Sequence, residues 1–197
     1  MRHGQTPGNS ERRYVGALDQ PLSEQGRAEA LAAGVLPKVK RVYVTTLKRT
    51  HETASICFPN AEQVEVEGLQ EMDFGDFAGR SADEMVNDAA YREWVDGNCL
   101  GQCPNGESRS EFTRRICRSL AKLVRSARSR GEERVILVAH GGTMMAALST
   151  YAVDDSGREY YEWLVGNCEA YRMDVQLTSG GTLLLRNIDH LRDLSAI

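Results

Sequence analysis

Apolar positions along the chain alternate between short runs with strand-like spacing and longer stretches with the three- and four-residue spacing of a helix. This alternation predicts an α/β fold, a three-layer α/β/α arrangement around a mostly parallel central sheet. Ser23 followed by Glu24 and Gln25 reads as a helix start with Ser23 as N-cap, and the pattern carries that helix to about residue 36, before Pro37. Residues 41–45 read as a strand, 47–57 as a helix stopped by Phe58-Pro59, 64–66 as a second short strand and 67–79 as loop. Next come a helix over 83–94, an irregular stretch over 97–106, and a long amphipathic helix over 107–130 closed by Gly131. A buried strand is expected at 134–139, a helix over 142–153, and a hairpin formed by 170–177 and 182–188 around Gly180-Gly181. No repeat, low-complexity segment or linker divides the pattern, so residues 1–197 are expected to form a single domain.

Composition narrows the picture. A chain of 197 residues, 41% hydrophobic and 26% charged, can bury a sizeable core and is neither collagen-like nor disordered. The longest apolar run, residues 135–139, is far too short to cross a bilayer, and a charge and a histidine stand where a signal peptide needs an apolar core. A cytoplasmic setting without membrane partners is the expectation. A net charge of -4 and a pI of about 5.6 argue against nucleic acid as a partner, so any anionic ligand must be met by a local group of arginines. The five cysteines, at 57, 99, 103, 117 and 168, lack the spacing of a zinc site and read as reduced structural thiols. Neither metal nor cofactor is expected.

Two histidines stand out. His140 ends the 134–139 strand and is followed by Gly141-Gly142, at the carboxyl edge of a parallel strand where ligands bind in such sheets. A core histidine bonded to backbone is the competing possibility, but flanking glycines also free backbone N–H groups, including that of Gly142, for an anion. Arg49 falls in the first turn after the strand at 41–45, on the same sheet edge, and its planar fork suits phosphate. Arg2-His3-Gly4-Gln5-Thr6-Pro7-Gly8-Asn9 gathers an imidazole, a guanidinium, a hydroxyl and an amide among small residues. That inventory is hard to account for as packing. His51 and His190 have no such surroundings. Tyr160-Tyr161 and Trp163 either flank a substrate mouth or pack, and clustering alone favours packing.

The chain resembles the histidine phosphatase superfamily, which includes phosphoglycerate mutases and α-ribazole phosphatases. The resemblance spans nearly its whole length: Arg2-His3-Gly4-Gln5-Thr6 with Asn9, the segment 16–26, Thr46-Leu47-Lys48-Arg49-Thr50 with Thr53-Ala54, Leu69-Gln70-Glu71-Met72-Asp73-Phe74-Gly75, Gly106-Glu107-Ser108, and Val138-Ala139-His140-Gly141-Gly142. The resemblance implies a phosphoglycerate mutase-like fold, a nucleophilic His3 that becomes phosphorylated, a phosphate pocket of Arg2, Asn9, Arg49 and His140, and Glu71 as acid and then base. Glu65, Glu67, Asp73 and Asp76 share its segment; only the family pattern selects Glu71. Where the acid-phosphatase branch places an Asp after the second histidine, this chain has Gly141.

Mutase-like sequences resembling this one carry additional basic residues after the catalytic Glu and a threonine before Gly16; here only Arg80 and Arg92 lie in the 80–100 segment, and Val15 replaces the threonine. Both departures favour hydrolysis of a small phosphorylated metabolite, with a mutase-type phosphotransferase and a non-catalytic phospholigand-binding module as alternatives. The runs Arg13-Tyr14-Val15-Gly16, Gly75-Asp76-Phe77-Ala78-Gly79, Tyr91-Arg92-Glu93-Trp94 and Pro104-Asn105-Gly106-Glu107-Ser108 look most like α-ribazole-phosphatase-type sequences of the cobalamin pathway. A homodimer is left open. Relatives reach the Arg-His-Gly motif through a short apolar strand, whereas Met1 directly precedes Arg2. The first strand is therefore expected to be truncated, with about six β-prone residues preceding Met1 in the natural chain.

Overall fold

The computed structural model describes residues 1–153 and 156–195. Its elements in chain order are α1 (Pro7–Ser10), α2 (Glu24–Ala33), β1 (Arg41–Val44), α3 (Lys48–Cys57), β2 (Glu62–Glu65), α4 (Ala89–Asp96), α5 (Arg109–Ser129), α6 (Gly141–Tyr151), β3 (Ala170–Leu177) and β4 (Leu183–Leu191), with four short 3-10 turns between them.

β1 and β2 pair in parallel, and β3 and β4 form the antiparallel hairpin. Between these ladders lie two extended segments. Residues 136–139 bond to β1 through Tyr43 N–H to the Ile136 carbonyl (2.8 Å) and Val138 N–H to the Tyr43 carbonyl (2.9 Å). Met1, Arg2 and His3 lie on the other side, with Ala139 N–H on the Met1 carbonyl (2.9 Å) and His3 N–H on the Ala139 carbonyl (3.0 Å). Arg2 N–H then reaches the Glu169 carbonyl at 2.9 Å, next to the start of β3. His3 and His140 thus end neighbouring extended segments on the same sheet edge.

β1 shows how the layers form. Its side chains alternate, so Val42 and Val44 pack with Ala30 and Ala33 of α2 and Ala54 and Cys57 of α3, while Tyr43 joins the cluster containing Phe112 and Ile116 of α5 and Ala146 of α6. Helices therefore cover both faces, as the sequence pattern predicts.

Three expectations are corrected. The strand expected at 134–139 makes only isolated bridge pairs with its neighbours, at Leu137 and Ala139, because the segments beside it are three and four residues long. The helix expected over 83–94 breaks: a 3-10 turn at Asp83–Met85 precedes α4, and the Asp88 carboxylate accepts from the N–H groups of Ala90 (3.1 Å) and Tyr91 (3.3 Å), capping a new helix. The helix after Ser23 stops at Ala33, where Gly34 takes φ 122°. Ser108 caps α5 in a reciprocal box with Glu111. No helix among the described residues is long and apolar enough to cross a membrane.

Candidate active site

Four chain segments converge on one end of a cavity of about 530 Å³, within the range of small-molecule sites. His3 is 4% exposed. Its Nδ1 lies 2.7 Å from the Gly4 carbonyl, which can only accept, so the proton sits on Nδ1 and Nε2 keeps its lone pair. The Gly4 N–H in turn donates to Thr53 Oγ1 (3.0 Å), which ties the residue after the imidazole to α3.

Arg49 enters from the first turn of α3 and is fully buried. Its Nε donates to His3 Nε2 (3.2 Å) and His140 Nδ1 (3.3 Å), while its two terminal nitrogens are spent on the carbonyls of Leu18 (2.7 Å) and Gly16 (2.6 Å). Gly16 holds φ 51°, a left-handed conformation that glycine adopts without cost, and that conformation aims its carbonyl at the guanidinium. Burial pushes Arg49 down to about 10, which leaves it charged at neutral pH. Burial, then Arg49, then Arg2 hold His3 well below the usual histidine range, with the Gly4 hydrogen bond opposing. His140 is lowered by burial and by Arg49, His3 and Arg2. Both rings are neutral at pH 7.

His140 stands at the N-cap of α6 but offers the helix no side-chain cap. Its Nε2 lies 2.9 Å from Thr45 Oγ1, at the end of β1. The open N–H of Gly142 is instead taken by Glu71 Oε2 (2.9 Å), and the other carboxylate oxygen accepts from Met72 N–H (2.9 Å). A Cβ at Gly142 would lie 2.1 Å from Glu71 Oε1, so only glycine lets the carboxylate approach this closely. The Gly142 N–H, expected to face phosphate, is therefore spent on the Glu71 carboxylate.

Arg2 donates from Nη1 to the Val165 carbonyl (2.6 Å), while its buried Nε has no partner. Asn9 completes a capping box with Thr6, its Oδ1 accepting from Thr6 N–H (3.2 Å), which leaves its amide N–H₂ for the cavity it lines. The expected residues Arg2, His3, Asn9, Arg49, Glu71 and Gly142 all line the cavity, and His140 touches it through Arg49 and His3.

Further residues gain a place only in the structure. The Thr45 hydroxyl meets the His140 ring (2.9 Å), Thr53 accepts from the Gly4 N–H (3.0 Å), and Arg109 with Tyr160 and Tyr161 forms a far wall. The aromatic group divides: Trp163 packs in the core, as clustering favours, but Tyr160 and Tyr161 face the cavity. His51 pairs with Glu65 (3.2 Å) and His190 with Glu169 (2.9 Å), away from the site. Among the described residues, no group of three or more His, Cys, Asp and Glu side chains converges as metal ligands would.

The profile of the histidine phosphatase superfamily (branch 1) matches residues 1–188. The chain belongs to that superfamily. It is 28% identical over 183 residues to "Probable phosphoglycerate mutase GpmB" of Salmonella arizonae, covering 89% of this chain and 83% of that protein. Mycobacterial glucosyl-3-phosphoglycerate phosphatase, solved with VO3, superposes with a TM-score of 0.74 at 26% identity, over 98% of this chain and 96% of that one. The α-ribazole phosphatase of Shigella flexneri gives a TM-score of 0.73 at 20% identity, over 100% and 97% of the two chains, a likeness of fold. The phosphoglycerate mutase-like α/β fold expected from the sequence is thus the fold of this protein, and membership of a superfamily of phosphatases and mutases supports an enzyme.

Proposed function

We propose that the chain is a phosphomonoesterase that hydrolyses a small phosphorylated metabolite through a phosphohistidine at His3. The observation that carries this reading is the His3 ring itself: Nδ1–H is spent on the Gly4 carbonyl, so Nε2 is unprotonated, and it lies at the cavity that His3 lines, with Arg49 Nε donating to it at 3.2 Å. A neutral imidazole so fixed is a nucleophile, and Arg2, Arg49 and Asn9 surround the place where phosphoryl charge would sit. The unpartnered Arg2 Nε is a donor waiting for an acceptor.

In the first step Nε2 forms a bond to phosphorus as the ester P–O bond breaks, and Glu71 gives its proton to the leaving alkoxide. In the second, Glu71 takes a proton from water, whose oxygen attacks phosphorus and releases neutral His3 and phosphate. His140 acts through Arg49: its Nδ1 accepts from Arg49 Nε (3.3 Å) and its ring proton lies on Nε2, towards Thr45 Oγ1 (2.9 Å), so it holds the guanidinium beside the phosphoryl group. The arginines supply the positive charge, so the reaction needs neither metal nor organic cofactor.

Hydrolysis rather than internal transfer is supported by the segment after Glu71: Arg80 is paired with Asp88 (2.9 Å), and neither Arg80 nor Arg92 lines the cavity. Among specific substrates, α-ribazole 5'-phosphate is the one we put forward, on the sequence runs at 13–16, 75–79, 91–94 and 104–108. The cysteine usage fits a cytoplasmic setting. The test is a quench experiment with labelled phosphate ester. Label should appear on the wild-type chain in an acid-labile, base-stable form and be absent from His3→Ala, whose turnover should fall by about 10³-fold or more while the protein remains folded. Label on serine, or full turnover with none, would refute the reading.

A further inference from the structure

Glu71 is carried by neither a helix nor a ladder. It lies in the irregular segment between the 3-10 turns at Glu67–Leu69 and Gly75–Phe77, yet its carboxylate has to stay on the Met72 and Gly142 N–H groups. Backbone outside regular structure must find partners for its carbonyls elsewhere. Here one side chain supplies them. Arg115 stands in the second turn of α5. Its Nη1 donates to the carbonyls of Gly68 (3.2 Å) and Gln70 (3.0 Å), and its Nη2 to the carbonyl of Glu71 itself (3.2 Å). The remaining donors go to Glu107, just before the N-cap of α5: Nε to Oε1 at 2.8 Å and Nη2 to Oε2 at 2.6 Å, the side-on fork in which a guanidinium matches a carboxylate. All five N–H groups of the guanidinium are spent, three on the backbone of residues 68–71 and two on the carboxylate.

Glu107 grips the same segment from its other side. Its Oε2 also accepts from the Asp73 N–H (3.1 Å), and its own N–H donates to the Asp73 carbonyl (2.8 Å). The chain before and after Glu71 is therefore tied to α5 through one ion pair, while Thr143 of α6 donates to the Leu69 carbonyl (3.1 Å) from the opposite helix. Neither Arg115 nor Glu107 lines the cavity, so neither meets the substrate. We infer that Arg115, held in plane by Glu107, is a positioning residue for the acid: it fixes the backbone from which the Glu71 carboxylate reaches the leaving oxygen. This deepens the proposed function and rests on it. A proton is delivered only across a hydrogen bond, so freedom in residues 68–73 weakens the acid step and leaves the phosphoryl pocket of Arg2, His3 and Arg49 in place. Lysine is no equivalent, because three donors on one nitrogen cannot serve three carbonyls and both carboxylate oxygens.

The experiment uses the full chain and two esters: propyl phosphate, whose leaving oxygen needs a proton, and p-nitrophenyl phosphate, whose leaving oxygen needs little. In Arg115→Lys and in Glu107→Gln, kcat for propyl phosphate should fall by about tenfold or more and that for p-nitrophenyl phosphate by about threefold or less, with KM for both little changed. In a Glu71→Gln background the same substitutions should cost propyl phosphate almost nothing further, because the acid they position is already gone. Equal losses for the two esters, or losses that multiply with that of Glu71→Gln, overturn the inference. Glu107→Gln, which keeps the guanidinium, carries the comparison should Arg115→Lys fail to fold. If the wild type hydrolyses neither ester, the phosphatase reading fails. The clamp is then read from hydrogen exchange at Met72 and Gly142, whose N–H groups the Glu71 carboxylate holds. Both should exchange about tenfold faster in the variants while amides in the middle of α5 keep their rates, and unchanged exchange at the two sites would overturn the clamp separately.

Discussion

The two ends of the cavity are held by different means. At the reacting end, His3, Arg49 and Glu71 are fixed by hydrogen bonds of 2.6 to 3.3 Å, to one another and His140 and to backbone groups of Gly4 beside the sheet edge, of Gly16 and Met72 in loops and of Gly142 at the α6 N-terminus. At the far end, Arg109 and the two tyrosines are held by stacking, on the first residue of α5 and on a 3-10 turn at Tyr160–Trp163. A group tied to backbone by several hydrogen bonds shifts only with the backbone, whereas a stacked side chain on a turn is freer to move. On the proposed function, the chemistry sits in the tightly bonded end and the rest of the substrate meets the looser one.

The sharpest way to break this contrast is Glu71→Gln. The amide can still accept one backbone N–H but cannot deliver a proton, so turnover of alkyl phosphates should fall by about a hundredfold or more. p-Nitrophenyl phosphate, whose leaving group needs little protonation, should lose much less. Equal losses for both esters would mean that Glu71 only positions and that the acid lies elsewhere.

A smaller effect is expected from Gly142→Ala. The added Cβ would sit 2.1 Å from Glu71 Oε1, displacing the carboxylate without removing it. Alkyl phosphate turnover should drop by about tenfold, again more than that of p-nitrophenyl phosphate. Steady-state rates for the two esters check it, and unchanged rates would show that the carboxylate need not be held by α6.

How much of this is legible in the sequence follows from the same contrast. Residues fixed by backbone geometry announce themselves, because packing alone rarely puts a histidine after an apolar strand and before two glycines, or an arginine one turn into the next helix. Gly142 is legible as a position and not as a task, since no spacing reveals that a carboxylate 71 residues earlier takes its N–H. The strand at 136–139 looks longer in the sequence than it is because apolar composition registers burial, not the length of the neighbours it must pair with. Asp88 breaks a helix that periodicity carries through, its carboxylate competing locally for backbone N–H groups. Arg109 and Tyr160 are the least legible: 51 residues apart, they meet only through tertiary packing.

The smallest expected effect concerns the stability of the reacting end. Above pH 6.5 the imidazoles are neutral in both the folded and the unfolded chain. As pH falls below that value, the unfolded rings take up protons that the folded ones, held well below the usual range by burial and by Arg49, refuse. The unfolded state then gains, and stability is lost progressively until the pH reaches the folded values. At pH 5.5 each ring should cost about 1 kcal/mol relative to pH 7.5. Urea unfolding of the wild type and of His140→Gln at the two pH values isolates the single ring. The wild type should lose about 1 kcal/mol more than the variant on acidification; equal losses would show that His140 takes up its proton in place, and that the reacting end is less firmly held than its hydrogen bonds imply.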